Sequence, residues 1–157
     1  MSTGGIQAPN RELSQRDSAT SKFNHNLSLL IFQLSKIYPE DHDLKVWAEK
    51  FEWSKRFNAK LVCELFVDIL GNYIEKIMTK DEKFFLMEID YHGKIENKEY
   101  LYLINKVIHV WSDSINEKLK DNIWKYFQTL LTYGIIACKR QDLADQLNKY
   151  RSTPLKV

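Results

Sequence analysis

Glu40-Asp41-His42-Asp43 sets one imidazole among three carboxylates, a donor set that suits an oxygen-rich cation site. Glu88, Asp90 and His92 would share one face of an extended segment and offer three more ligands. Each cluster also has a plainer reading. Acidic residues directly after Pro39 suit a helix start, where the helix dipole favours negative charge. A solvated loop edge gives the second pattern equally well. Capping is the preferred reading of the first and an exposed loop of the second, so no metal is assigned. His25 and His109 stand singly on helical stretches and read as ordinary packed or half-exposed histidines. Cys63 and Cys138 are far apart, each inside an apolar helical stretch and without a CxxC neighbour. They read as two buried free thiols of a protein in a reducing compartment.

The usual catalytic signatures are missing from the sequence. It contains no GxxxxGK[ST] loop, no GxGxxG turn after a strand, no GxSxG elbow and no HExxH. The expectation is a non-enzymatic protein with no cofactor.

The elements that would position any site are helices. The chain has 157 residues, long enough to bury a core without disulfide or metal, and is 44% hydrophobic with only five Gly and three Pro. Residues 1–20 are polar and aperiodic and read as a flexible N-terminal arm, not a signal peptide. A helical domain follows over 21–151, and 152–157 reads as a frayed end. Phe23, Leu27, Leu30, Ile31 and Leu34 make one apolar face of a first helix that Pro39 ends. Asp41 or Asp43 caps a second, with Leu44, Trp47 and Phe51 inward and Trp53 a further candidate for that face. Asn58 caps a third, Ala59 to Met78, carrying Leu61, Leu65, Ile69, Tyr73 and Ile77. Residues 79–97 read as a short helix and an exposed loop. A helix after Asn97 then turns Leu101, Ile104, Ile108 and Trp111 inward. The next, from Ser114 or Asn116 to Lys139, widens its apolar face as a central bundle helix does, and Gln141–Tyr150 closes the domain with Leu143, Leu147 and Tyr150. The fold class is all-α: a single-domain bundle of about six helices. No apolar run reaches the ~20 residues of a membrane span.

Binding is the remaining class of function. Trp53, Tyr102, Trp124 and Tyr133 fall off the core-facing stripes, and exposed Trp and Tyr mark protein interfaces. They are the candidate contacts for protein partners or for self-association, with the N-terminal arm as a tether; the alternative is a broad core with helices buried on two faces. Lys139, Arg140, Lys149 and Arg151 concentrate positive charge near the C-terminal end and are the candidate nucleic-acid contacts. Cations near helix ends also satisfy the dipole. The net charge of +2 gives nucleic-acid binding little support.

Two stretches resemble a group of small helical proteins of nucleocytoplasmic large DNA viruses, the giant viruses. Ile77-Met78-Thr79-Lys80-Asp81-Glu82-Lys83-Phe84-Phe85-Leu86 is similar to that group's I-x-x-K-D-E-x-F-F stretch. Trp111, Lys120, Ile123, Trp124, Tyr126, Phe127 and Leu130 resemble its second stretch, a Trp followed by Lys-x-x-Ile-Trp-x-Tyr-Phe-x-x-Leu. The resemblance as a whole covers roughly residues 58–131. The Lys-, Asn- and Ile-rich composition is similar to that of proteins from AT-rich viral genomes. The group has no settled activity. The resemblance implies a virus-encoded protein of the infected host cytoplasm and of the virion, and it carries over no functional residue.

Overall fold

Phe23, Leu27, Leu30, Ile31 and Leu34 recur at three- and four-residue steps, and in a computed structural model of the chain they are the buried stripe of α1 (Gln7–Ile37). The structure describes residues 7–83, 105–109, 111 and 117–157, with side chains from Ser18 onward. Helix α1 begins well inside the segment expected as an arm, and Ala19 and Thr20 are buried. The packed part of the chain therefore starts before Ser21. Small residues at 18–20 hid this, because Ser-Ala-Thr adds no apolar bulk to the periodic pattern.

Asp41 starts α2 (His42–Phe57) by accepting a 2.9 Å hydrogen bond from the Leu44 amide. It satisfies one of the amides that every helix start leaves without an intrahelical partner. The same carboxylate pairs with Lys106, from the helical residues 105–109. Leu44, Trp47 and Phe51 are buried as expected. On the rim between α1 and α2, Ser28 Oγ donates to Glu52 Oε1 at 3.1 Å, and Lys55 Nζ holds Glu52 Oε2 at 2.8 Å.

The long third helix expected over 59–78 is divided. Asn58 closes α2 and also leads into the next helix, its Oδ1 accepting from the Lys60 amide at 3.2 Å, and α3 runs Leu61–Leu70. A single 3-10 turn, Gly71–Tyr73, leads into α4 (Ile74–Met78). Two contacts accompany the break, one local and one with a residue far along the chain. Asn72 Nδ2 donates to the Asp68 carbonyl at 3.2 Å, competing with the helical ladder. A Cβ on Gly71 would lie 2.8 Å from Leu143 Cδ1, so the backbone passes directly beneath that side chain. The buried face of α3 is also rotated from expectation: Val62, Cys63, Phe66, Val67 and Leu70 are inside, whereas Leu61 is 42% exposed. In Leu61-Val62-Cys63 three apolar residues compete for one face, and periodicity alone chose wrongly.

α5 (Glu117–Ala137) is the central helix and touches α1, α3, α4 and the short α6 (Gln141–Leu147). Its buried positions, among them Ile123, Phe127, Leu130, Leu131 and Ile135, take more than one face. Phe66 joins the layers, edge-on to Phe23 at 5.2 Å and stacked on Phe127 at 6.1 Å. After α6 the chain makes a 3-10 turn, Asn148–Tyr150, that leaves Tyr150 exposed rather than inward. Residues 152–157, expected to fray, are tied back. Asn148 exchanges hydrogen bonds with the backbone of Leu155 at 2.7 and 3.0 Å, and Gln141 accepts from the Val157 amide at 3.1 Å. The described residues thus form a single all-α domain of six α-helices without a strand. Among them no helix is long and apolar enough to cross a membrane.

The helices approach closely at Gly134 of α5, where an added Cβ would meet Val67 Cγ2 at 2.6 Å. Val67 is β-branched and cannot swing aside. Gly134→Ala should therefore lose about 1–3 kcal/mol in urea melts, although alanine favours a helix by ~1 kcal/mol. In a double-mutant cycle, adding Val67→Ala should recover part of that loss; strictly additive effects would contradict the packing described.

Candidate functional site

At 3.6 residues per turn, Trp53 lies about half a turn around α2 from Leu44, which points the ring away from the core. Trp53 is 59% exposed and Phe57, one turn further on, is 73% exposed. Their rings meet edge-on, with centroids 5.2 Å apart, and the Arg56 guanidinium sits 5.8 Å from the Trp53 ring. An edge-on pair and an adjacent cation both fix ring orientation without burying the rings. Half-buried Val46 and exposed Lys45, Glu49 and Lys50 complete this outward face. On α1, Phe32 is also exposed, with Lys36 Nζ 4.6 Å from its ring.

The other aromatic candidates fare differently. Trp124 is only 3% exposed, which removes it as a surface contact. Its ring packs edge-on against Trp111 at 5.3 Å, because α5 is buried on two faces and the stripe drawn from the sequence was too narrow. Tyr133 is half-buried, with Lys22 Nζ 5.5 Å from its ring, and lies on a different helix from Trp53. Tyr102 falls outside the described residues, as does the Glu88, Asp90 and His92 cluster. The structure does not gather these four aromatics into one patch. It gives Trp53 a partner that sequence reasoning missed, Phe57. The signal was present: four-residue spacing on the side of α2 opposite Leu44, Trp47 and Phe51.

The basic cluster is already engaged in part. Arg140 makes a two-pronged contact with Asp142, at 3.0 and 2.9 Å, and approaches Asp68 at 3.9 Å. The hydrogen bond from Arg140 holds the Asp142 carboxyl below its usual range. Arg151 donates to the Thr153 carbonyl at 3.2 Å, while Lys149 is exposed. Lys139 is exposed with a left-handed backbone, φ 53°, in the turn that ends α5. Around Asp41 the acidic cluster divides between cap and solvent. Asp41 is committed to the α2 cap and to Lys106, and His42 and Asp43 are exposed. Among the described residues no three metal-ligating side chains come together.

The two cysteines do come together. Cys63 on α3 is fully buried, Cys138 just after α5 is half-buried, and both reach the Gly134 carbonyl oxygen, Cys63 through Sγ at 3.9 Å and Cys138 through its amide at 2.9 Å. Nothing in their sequence spacing signals this. In comparisons with protein families, curated proteins and solved structures, the chain matches none.

Two substitutions separate core from surface aromatics. Trp124→Ala should cost about 3–5 kcal/mol in denaturant melts, and Trp53→Ala should stay within about 0.5 kcal/mol of the parent. Equal losses at the two positions would contradict the assignment of faces.

Proposed function

We propose that this chain is a non-enzymatic adaptor or structural protein that binds an amphipathic, acidic protein segment on the outward face of α2. The observation that carries this reading is the exposed Trp53–Phe57 pair, held edge-on at 5.2 Å on the side of the helix away from the core. Tryptophan buries a large area for little rotamer entropy, which makes it a strong anchor in interfaces. The charges around the pair supply the partner's character: Lys45, Lys50 and Arg56 outnumber Glu49, so acidic residues flanking an apolar anchor would fit. The similarity to small giant-virus proteins supports a setting in the infected cytoplasm and the virus particle, with a viral or host protein as partner.

Site-specific photo-cross-linking tests the proposal. A photoreactive phenylalanine analogue at position 57, in the full chain made in its native source, should capture a discrete protein. The same analogue at Tyr133 should not. Trp53→Ala should abolish capture without lowering the melting temperature. Capture of nucleic acid in place of protein, or equal yields at positions 57 and 133, would overturn the proposal and favour an accessory nucleic-acid role.

A further inference from the structure

Cys63 and Cys138 are distant in sequence, but α3 and the end of α5 bring both to the Gly134 carbonyl. Cys63 sits in the first turn of α3, fully buried, with Sγ 3.9 Å from the Gly134 carbonyl oxygen. Cys138 occupies the turn after α5, its amide bonded to that same carbonyl at 2.9 Å. It lines an open cleft of about 360 Å³ with Lys60, Glu64, Asp68 and Arg140. Cys63 is therefore sealed in the core, and Cys138, half-buried, borders the open cleft. Lys60 also donates to the Ala137 carbonyl at 3.3 Å and ties α3 to the last turn of α5 beside the pair.

We propose that Cys138 and Cys63 form a peroxide-sensing dithiol, Cys138 being the sulfur that is attacked first and Cys63 the one that resolves it into an intramolecular disulfide. The Cys138 thiolate attacks a hydroperoxide. The peroxide O–O bond breaks, one oxygen is transferred to sulfur as a sulfenic acid, and the other leaves as hydroxide or alkoxide. Cys63 then attacks the sulfenyl sulfur. Its proton leaves with the displaced hydroxide as water, and the S–S bond forms. Two thiols are oxidised by two electrons and one peroxide is reduced. An external thiol such as glutathione returns the pair to the reduced state by exchange.

Protonation favours this order. The Cys63 hydrogen bond lowers the Cys138 thiol from its ordinary value, with Lys60 helping and burial, Glu64 and Asp68 opposing. The same hydrogen bond, and then burial, pushes the Cys63 thiol up. Thiolate character and access together select the sulfur that oxidises. The remaining approach of the sulfurs falls to Cys138, since a residue in a turn shifts more readily than one inside α3. The bond would staple the two helices across a loop of more than seventy residues, the kind of long closure that restricts the unfolded chain most.

The test uses the reduced full chain treated with one equivalent of hydrogen peroxide. Mass spectrometry should find both thiols lost, the mass lower by two hydrogens, and one peptide linking Cys63 to Cys138. The melting temperature should rise by roughly 5–10 °C, and reduced glutathione should reverse both changes. In Cys63→Ser, dimedone should trap a sulfenic acid at Cys138; in Cys138→Ser, Cys63 should stay reduced. Two thiols that survive peroxide, a disulfide between chains, or sulfenic acid at Cys63 before Cys138 would overturn the proposal. The intact-chain measurement decides the matter even where a variant folds poorly.

Discussion

Gly134 sets how closely α5 lies against α3, and most of the bundle follows from that distance. With no side chain there, the Val67 methyl occupies the space a Cβ would need. The approach seats Phe66 between Phe23 and Phe127 and lets Lys60 reach the last turn of α5. It also brings the carbonyl of residue 134 within reach of the Cys63 thiol. Close packing of this kind tolerates little change of volume, because an interior at crystal-like density has nowhere to move a methyl group. Gly71 repeats the device on a smaller scale, beneath Leu143, and there the helix gives way to a 3-10 turn.

A central helix buried on more than one face absorbs aromatic rings that a two-layer packing would leave outside. Trp111 and Trp124 meet edge-on within the core, and Trp47 and Phe51 stack at 5.9 Å beneath α2. Trp53 and Phe57 remain outside, exposed on α2. Large rings carry 150–250 Å² each. At about 25 cal/mol per Å², covering even half of what this pair leaves exposed would contribute a few kcal/mol to a complex. That contribution would anchor an interface whose flanking contacts offset the remaining cost of association, and for this the adaptor reading rests on this face. The basic C-terminal end is less available, since Arg140 is held by its own carboxylate neighbours.

Much of the fold is legible in the sequence. The α1 stripe was readable because Phe23, Leu27 and Leu34 stand beside polar residues and fix the phase through the apolar run Leu29-Leu30-Ile31-Phe32. The α2 cap was readable because Asp41 follows a proline and precedes an apolar period. Legibility failed where apolar residues run together. In Leu61-Val62-Cys63 the wrong residue was turned inward, and along α5 a second buried face made Trp124 look like surface. The division of 59–78 depends on Leu143, a residue far along the chain, so no local pattern announces it. The same limit hides the cysteine pair: which side chains meet across two helices is fixed by the α3–α5 crossing. Of the candidate site, Trp53 was legible, and Phe57 was missed only because it closes a helix whose outward face was not drawn.

The account stands on three of the four tryptophans being sealed in the core and one being presented on α2. Iodide quenching of tryptophan fluorescence measures this directly, since the ion reaches only exposed rings. The account predicts partial quenching in the intact chain and almost none in Trp53→Phe. Persistent quenching in Trp53→Phe, or a Trp53 that iodide fails to reach, would contradict it.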